Sequence, residues 1–569
     1  MFSDPSAPDK IIPPLQYASP ELETLIFNET DISTAIDELN SDSAAGEDEF
    51  PAQVLKSCKT ALLLPITLIW QDSLETSYIH PMFKAQLICP VHKKGSKATP
   101  ENYRPISLTS HIIKIFERVI RNKLVAHLES NNLIVNNQHG FRKGKSCLSE
   151  LLDHFTEIID NLNSGYDTDA IYLDFAKAFD KVDHQILLRK LQNLGINGRL
   201  YNWLSSFLND RIQKVSVNGH HSRASSVRSG VPQGTVLGPI LFLIYINDIN
   251  TVMEHASLRS FADDTRILRK ITGQEDMAKL QSDLDNVITW SRNNNMKLHE
   301  KKFEFIQHNV PNKFRDDMLE LPFTAYEQCY TTSDGTTLEP VTNVRDLGVI
   351  VTPELSWSTH IGHIVKKASQ AASWALSVFR YRDHHTMLTL YKSLVRSHLE
   401  YCCPVWNPHN SMSDIKLLES VQRSFTAKIN GYSDLDYWDR LASLRLMSLQ
   451  RRRERYILIY MWKILHRLVP NATAVKWHYN ERSGIQAILP TVPKHKSKIQ
   501  VHENSLAIIG PRLWNIIPAD CTLCPSLESF KSCLQQYLDR IPDLPPVGNY
   551  VLKNRNSLLD WATDGGRRC

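Results

Sequence analysis

Apolar residues recur at helical spacing in several parts of the chain. Ile32, Ala35, Ile36 and Leu39 would share one face of a helix over 30–39, because residues three and four apart lie on the same side of a helix. The same criterion predicts further helices at residues 111–128, 187–208, 240–249, 361–379, 387–399, 415–428 and 456–468.

Shorter apolar runs predict strands at 83–92, 170–175 and 215–217, and two strands joined at Asp263-Asp264 within 258–268. The run 170–175 contains an acid, Asp174. A buried carboxylate is costly unless it is paired, so Asp174 needs a metal ion or a cationic side chain beside it. Residues 229–238 are rich in glycine and predict a loop.

Charge is distributed unevenly along the 569 residues, although the net charge is only +4. Residues 1–83 carry 14 acids and three bases, whereas residues 84–145 carry 12 bases and three acids. Tyr103, Phe116 and Phe141 are interleaved with these bases. This combination favours a nucleic-acid partner over a merely solvated surface. The second basic run, 451–455, is interpreted as a solvated helix end.

Composition excludes several classes of protein. Ten cysteines are too few for a disulfide scaffold, and Cys521 and Cys524 lack the second ligand pair of a zinc site, so they are expected to be ordinary thiols. The longest uncharged apolar runs, 61–70 and 236–246, fall short of the roughly 20 residues that span a bilayer. We expect an intracellular, multi-domain globular protein without a membrane partner.

Three acids are candidates for catalysis: Asp174 in one strand, and Asp263 with Asp264 at the tip of a hairpin. Two divalent cations held by such carboxylates can stabilise the attacking and leaving oxygens of a phosphoryl transfer. Mg²⁺ suits this set, because it binds one or two carboxylates together with substrate phosphates. An Asp-Asp pair alone, however, is more often a simple turn.

The neighbouring residues carry a family resemblance. The sequences are YRPISL at 103–108, QHGFRKGKS at 138–146, IYLDFAKAFDKVDH at 171–184, SGVPQGTVLGP at 229–239 and FADD at 261–264. In this order and spacing they resemble the motifs of reverse transcriptases, in particular those of jockey-like non-long-terminal-repeat (non-LTR, LINE-type) retrotransposons. The resemblance implies an α+β right-hand polymerase. Its expected parts are an acidic extension (1–75), fingers and an antiparallel palm (76–350), a helical thumb (351–470) and a C-terminal extension (471–569).

The resemblance also implies roles for single residues. Asp174, Asp263 and Asp264 would be the catalytic metal ligands. Lys302 would protonate the leaving pyrophosphate, although His299 departs from the family pattern and Lys301 is the alternative. The residues implied in nucleotide binding are Lys93 or Lys94, Arg104, Phe179, which would exclude the ribose 2′-hydroxyl, Gln233 and Gly234. Those implied in template or primer binding are Gln138, Phe141, Arg142, Leu347 and Gly348.

These residues imply an RNA-directed DNA polymerase that extends a DNA or RNA primer with dNTPs on an RNA template. It would use two Mg²⁺ ions, with Mn²⁺ as an alternative. Neither an endonuclease nor an RNase H pattern is evident in the sequence, which is typical of a polymerase module. The alternatives left open are a nucleic-acid-binding retrotransposon relic without catalysis, and a DNA-templated polymerase or intron maturase. The oligomeric state is not predicted.

Overall fold

The computed structural model describes residues 20–310, 330–489, 500–544 and 556–563. The predicted flexible N-terminus lies almost entirely outside these ranges. The described chain begins with helices that pack against one another and against the long helix over His111–Ser130. These helices are α1 (Glu29–Asp37), α2 (Ala52–Ser57), α3 (Lys59–Thr76) and α4 (Pro81–Lys84).

A small sheet and two long helices follow, and they contain the basic segment. The strands β1 (Ala85–His92) and β2 (Tyr103–Leu108) form an antiparallel hairpin. Helices α5 (His111–Ser130) and α6 (Cys147–Asn163) come next. Strand β1 also pairs in parallel with the later strand β4 (Arg211–Val217), and β4 is flanked by β5 (His220–His221) and β6 (Ser225–Val227).

The centre of the molecule is a four-stranded antiparallel sheet in the order β7-β8-β3-β9. Its strands are β3 (Asp167–Leu173), β7 (Ser257–Phe261), β8 (Asp264–Ile271) and β9 (Glu304–His308). Between β3 and β7 lie the helices α7 (Ala178–Lys181), α8 (His184–Asn193), α9 (Gly198–Leu208) and α10 (Gly238–Ile246), and α11 (Gln274–Asn293) follows β8.

The side chains on the two faces of this sheet belong to two different hydrophobic cores. Ile171 and Ile267 contribute to the core shared with the N-terminal helices, whereas their neighbours Ala170 and Leu268 contribute to the core shared with the C-terminal half. Successive residues of a strand point to opposite faces, so one sheet supports both sides. The sheet is therefore buried on both faces, and the residues at the ends of its strands are held rigidly.

Beyond the sheet come two small hairpins and then helices. The hairpins are β10 (Tyr330–Thr331) with β11 (Thr337–Leu338), and β12 (Val344–Asp346) with β13 (Val349–Val351). The helices are α12 (Ser358–Val378), α13 (His384–Leu390), α14 (Arg396–Glu400), α15 (Cys403–Trp406), α16 (Met412–Thr426), α17 (Tyr437–Ser443) and α18 (Leu449–Leu465).

The last part of the chain packs on α18. It contains the hairpin β14 (Lys476–Asn480) with β15 (Gly484–Ile488), and the helices α19 (Gln500–Asn504), α20 (Leu506–Trp514), α21 (Ala519–Thr522), α22 (Leu527–Asp539) and α23 (Leu558–Thr563). Trp514 and Phe530 stack with centroids 5.8 Å apart, and Trp462 of α18 joins them. Residues on both sides of position 470 thus share one core, and the predicted domain boundaries stay predictions.

Several predicted helices need correction. The single helix over 187–208 is wrong, because the chain turns at Gly195 and α8 and α9 are separate. The helix over 387–399 is α13, a π-helical turn (Tyr391–Val395) and α14. Among the described residues, no helix is both long and apolar enough to cross a membrane.

The basic run 451–455 is not a solvated helix end. It lies inside α18, and the side chains of Arg451 and Arg453 are each 1% exposed. Arg451 donates to Asn556 Oδ1 at 3.1 Å, and Arg453 Nε donates to Asn407 Oδ1 at 3.0 Å. Sequence cannot reveal these acceptors, because they come from distant segments that folding brings to the helix.

Candidate active site

The three candidate acids meet at one end of the central sheet. Asp174 follows the last residue of β3, and Asp264 is the first residue of β8, while Asp263 lies in the tight turn between β7 and β8. Leu173 pairs with Thr265 across β3 and β8, so Asp174 and Asp264 lie at the same end of these two neighbouring strands. The sheet register, which sequence separation conceals, thus brings the predicted acids together.

Burial and, after it, mutual repulsion disfavour the charged forms of Asp263 and Asp264. Partial burial and then the negative charges of Asp264 and Asp174 raise the pKa of Asp263 to about 6. Desolvation also raises the pKa of Asp264, with a further contribution from Asp174 and an opposing one from Arg266. Bringing like charges together disfavours the charged form, so this edge of the sheet favours a bound cation.

One lysine already supplies such a charge. Lys302, at the end of a 3-10 turn (Glu300–Lys302), donates to Asp174 Oδ2 at 2.9 Å. The backbone N–H of His299 donates to the carbonyl of Asp174 at 2.7 Å, which ties the start of this segment to the end of β3. Lys302, rather than Lys301, is therefore the lysine that contacts a candidate acid.

The sequence left open which of Lys93 and Lys94 approaches the catalytic region. In the structure the charge of Lys93 lowers the pKa values of both Asp263 and Asp264, against the larger effect of burial. The side chains of Lys93, Lys94 and Arg104 are all exposed. Arg104 lies opposite Val91 in the β1–β2 hairpin, just beyond the turn that carries the lysines.

Phe179 lies on α7, five residues after Asp174, in a cluster of aromatic rings. It stacks on Phe242 of α10 with ring centroids 4.2 Å apart. It also makes a T-shaped contact with Phe141, with ring centroids 6.1 Å apart. Its backbone carbonyl accepts from Val231 N–H at 2.8 Å, which joins α7 to the glycine-rich loop. The ring is half-buried, so one face is held while part of it stays accessible.

The loop itself is held by both its backbone and its side chains. Gln233 Nε2 donates to Asp180 Oδ1 at 3.0 Å, and Gln233 accepts from Ser107 N–H at 2.7 Å. Gly234 has φ +121°, and a methyl group there would come within 2.5 Å of the Ser107 oxygen. Only glycine therefore fits this close approach of loop and β2.

Gln138 lies in the interior, 3% exposed, beside the turn that carries Asp263. Its Oε1 accepts from the N–H of Ala262 at 2.8 Å, and its Nε2 donates to the carbonyl of Ala262 at 3.3 Å. Ala262 has φ +56°, an uncommon conformation for a residue with a side chain. A methyl group on Gly140 would come within 2.5 Å of Ala262 N. Gln138 and Gly140 therefore hold this turn in place. The sequence analysis missed this role, because nothing in the local sequence indicates the contact with Ala262.

The other predicted template residues differ in their surroundings. Arg142 makes a bidentate pair with Glu129, at 2.8 Å and 2.6 Å, and also donates to the carbonyl of Val135 at 2.7 Å. These contacts engage Arg142 within the protein. The side chain of Phe141 is 53% exposed.

Leu347 and Gly348 form the turn between β12 and β13, directly after Asp346, which belongs to a buried network with β8. Asp346 pairs with Arg266 on β8, and Arg266 also donates to Glu150 at 2.7 Å. Burial raises the pKa of Asp346 to about 6 and that of Glu150 to about 7. The roles predicted for Leu347 and Gly348 are untested by these contacts.

No group of three or more His, Cys, Asp or Glu side chains within the described residues already has an arrangement that would hold a metal ion. The pair Cys521 and Cys524 is not part of such a group either. Cys521 forms a disulfide with Cys533 of α22, so the expectation of ordinary thiols is wrong for Cys521, and Cys524 remains free.

Comparison with known proteins extends this picture. Residues 91–350 match the family described as "Reverse transcriptase (RNA-dependent DNA polymerase)". The chain is 26% identical over 417 residues to the probable RNA-directed DNA polymerase from transposon X-element of Drosophila melanogaster, covering 71% of this chain and 44% of that protein. It is also 26% identical over 405 residues to the RNA-directed DNA polymerase from mobile element jockey of the same species, covering 68% and 43%.

A third relative is a Pol polyprotein from the type-1 retrotransposable element R2 of Popillia japonica, 27% identical over 275 residues and covering 46% and 36%. The chain spans less than half the length of these relatives. A solved structure of apo telomerase from Candida tropicalis covers 49% of this chain and 55% of its own, at 11% identity and a TM-score of 0.34, which is too low to support an argument.

The match over 91–350 identifies a reverse transcriptase domain, which contains the antiparallel sheet with its three acids and has an α+β, right-hand polymerase fold. Over this domain the chain is similar to the polymerases of non-LTR, LINE-type retrotransposons, in agreement with its motifs.

Proposed function

We propose that this chain is an RNA-directed DNA polymerase of a non-LTR retrotransposon, which adds dNTPs to a primer 3′-hydroxyl on an RNA template inside the cell. The observation that carries the proposal is the convergence of Asp174, Asp263 and Asp264 at one edge of the central sheet. The names of the relatives, which describe RNA-directed DNA polymerases, support the choice of template and product.

The donor set fits Mg²⁺. Carboxylate oxygens are the ligands that this ion prefers, and it commonly takes only one or two of them, with substrate phosphates and water completing the octahedron. A closed cage of protein ligands is therefore not required. The raised pKa of Asp263 and the ammonium of Lys302 on Asp174 both indicate an excess of negative charge that a divalent ion would neutralise.

Asp174, Asp263 and Asp264 would hold two such ions, which, when bound, activate the primer hydroxyl and stabilise the charge on the leaving pyrophosphate. Lys302 would then supply a proton to the pyrophosphate oxygen, because its ammonium lies beside the acids and its side chain is 59% exposed. Rigid strands hold the acids in position, which lowers the entropic cost of aligning the reactants.

Residues around this edge would bind the incoming nucleotide. Lys93 and Arg104 would contact the triphosphate, with Lys94 as a more distant charge, because cations near a cluster of acids favour an anionic substrate there. Phe179 would exclude a 2′-hydroxyl. Gln233 and Gly234 would bring the loop backbone close to the nascent base pair.

The template and primer would lie along the same side of the molecule. Phe141 would stack on a template base, since its ring is exposed and borders Phe179. Leu347 and Gly348 would support the primer end through their backbone. For Gln138 and Arg142 we favour a supporting function instead, because their polar atoms are engaged by Ala262 and Glu129.

The test is primer extension on poly(rA)/oligo(dT) with Mg²⁺ and dTTP. We expect wild-type protein to extend the primer, and Asp263→Asn to reduce extension by orders of magnitude while the protein stays folded. Asp285→Asn is the matched control, because it removes an exposed carboxylate on α11 by the same chemical change.

Three outcomes separate the alternatives. Extension by the wild type and by Asp285→Asn, but not by Asp263→Asn, supports the proposal. Salt-sensitive duplex binding without extension by any variant favours a nucleic-acid-binding relic. Extension on poly(dA)/oligo(dT) with none on poly(rA)/oligo(dT) would favour a DNA-templated polymerase.

A further inference from the structure

A buried glutamate on α5 holds the far end of the glycine-rich loop, residues 229–238. Glu117 is 0% exposed, and its Oε2 accepts from the N–H of Val236 at 2.7 Å and from that of Leu237 at 2.9 Å. These contacts join residues 119 and 120 positions apart, so the sequence does not indicate them. The end of the loop is therefore fixed by a carboxylate from a distant helix.

The two bonded N–H groups lie at the point where the loop passes into α10. This helix begins at Gly238, directly after Leu237, and the N–H of Gly238 donates to Thr235 Oγ1 at 3.1 Å. N–H groups at the start of a helix have no acceptor within it and form the positive end of its dipole, so a carboxylate stabilises them. Glu117 and Thr235 together therefore define where α10 starts and in which direction it runs.

A buried cation at the other end of the loop opposes the charge of Glu117. Burial raises the pKa of Glu117, against the lowering effects of the Leu237 N–H and of the Arg211 charge. Arg211 is 2% exposed and pairs in register with Val227 of β6, the strand that leads into the loop. Removing one of two such buried, opposite charges leaves the other uncompensated. A change at Glu117 is therefore expected to affect both ends of the loop.

Helix α10 also carries the ring on which Phe179 rests. Phe242 is 0% exposed and stacks on Phe179 with ring centroids 4.2 Å apart. The carbonyl of Phe179 accepts from the N–H of Val231 at 2.8 Å, within the same loop. Closely packed interiors transmit small shifts, so a displaced start of α10 would move the Phe179 ring through both contacts.

We propose that Glu117 is a positioning residue for the selection of the nucleotide sugar, and that it acts by fixing α10 and thereby the ring of Phe179. The proposal rests on the proposed polymerase function and on the role given there to Phe179. Because Glu117 is 0% exposed, it acts through α10 and not on the nucleotide itself.

The test replaces Glu117 by glutamine, which keeps the shape of the side chain and removes its charge. Glu419→Gln is the matched control. Glu419 is also buried, and its carboxylate oxygens accept from the N–H of Leu449, the first residue of α18, at 3.2 Å and 3.1 Å. Leu449 belongs to the core of the C-terminal half, so this variant makes the same chemical change at a helix start remote from the loop.

Binding of dTTP and of rTTP is measured with Mg²⁺ on poly(rA)/oligo(dT) whose primer ends in a dideoxynucleotide, so that no bond can form. The concentration of each nucleotide that protects half of the complex from a heparin competitor gives the preference. We expect Glu117→Gln to lower the preference for dTTP by roughly fivefold to tenfold. Binding of the template–primer should change less than about twofold.

Two further measurements separate positioning from folding. Hydrogen exchange at the amides of Val236 and Leu237 should become faster in Glu117→Gln and stay unchanged in Glu419→Gln. Thr235→Val removes the acceptor of the Gly238 N–H without a change of charge, and it should lower the preference for dTTP in the same direction. This second variant keeps the test valid if Glu117→Gln does not fold.

Equal changes of preference in Glu117→Gln and Glu419→Gln would overturn the proposal, because a general loss of stability would then explain both. Faster exchange in Glu117→Gln with an unchanged preference would also overturn it, and would limit Glu117 to holding the helix. A wild type that selects dTTP but does not extend a primer would contradict the proposed function alone. A wild type without any preference would contradict both.

Discussion

Both hydrogen-bonding atoms of the Gln138 amide engage the backbone of Ala262, the residue before Asp263. A side chain 124 residues earlier in the chain thereby holds the turn that carries two catalytic candidates. The positive φ of Ala262 makes this contact consequential, because such a conformation persists only where its surroundings enforce it. Gln138 is thus a positioning residue in our interpretation.

We expect Gln138→Ala to reduce primer extension by about 10- to 100-fold, as the loss of about 1–3 kcal/mol of hydrogen bonding loosens the turn. The KM for template–primer should change little, whereas the Mg²⁺ concentration for half-maximal rate should rise. Gln192→Ala, an exposed glutamine of α8, is the control. A raised KM with unaltered Mg²⁺ dependence would instead return Gln138 to the predicted template contact.

Lys302 and Lys301 are adjacent but differ in their contacts, because among the described residues Lys302 donates to Asp174 and Lys301 does not. We expect Lys302→Ala to lower the extension rate by about 100-fold and to flatten the alkaline limb of the pH–rate profile, because a general acid is lost. Lys301→Ala should retain most activity. If Lys301→Ala caused the larger loss, the proton donor would be Lys301.

Phe179 is held by its stack on Phe242, so its ring can act as a fixed wall. We expect Phe179→Val to raise incorporation of rNTPs relative to dNTPs by roughly tenfold or more, because space opens for a 2′-hydroxyl. The ratio of kcat/KM for rTTP and dTTP measures this. Phe242→Leu removes the stack but leaves the Phe179 ring, and a change of ratio confined to Phe242→Leu would contradict the proposed function of Phe179.

Asp169 on β3 is buried and accepts from the Tyr330 hydroxyl at 2.6 Å. Burial raises its pKa to about 7, so the folded state binds this proton more tightly than the unfolded chain. Its contribution to stability is therefore greatest below the unfolded pKa and falls as the pH rises to about 7.

We expect the free energy of unfolding of Asp169→Asn to be close to that of the wild type near pH 4. Near pH 8 it should be higher than that of the wild type by about 2–4 kcal/mol, because the wild type must bury a charge there. Urea unfolding at the two pH values measures the difference, and Asp285→Asn corrects for global effects. A difference that does not change with pH would contradict the raised pKa.

Local pattern was sufficient for the strands around the candidate site and for the candidate acids. Residues 170–175 and 258–268 were predicted as strands from their apolar residues, and the structure confirms β3, β7 and β8 there. The match over 91–350 likewise confirms the family that the motifs predicted. Periodicity and turn chemistry are properties of neighbouring residues, so the sequence contains them directly.

Contacts between distant segments were decided by tertiary structure alone. The burial of Arg451 and Arg453, the choice of Lys302 over Lys301 beside Asp174, and the hold of Gln138 on Ala262 all depend on packing across more than 40 positions. A charged or amide side chain has the same local signature whether it faces solvent or a buried acceptor. The acceptor is supplied by another element, and only the sheet register and the helix packing bring it there.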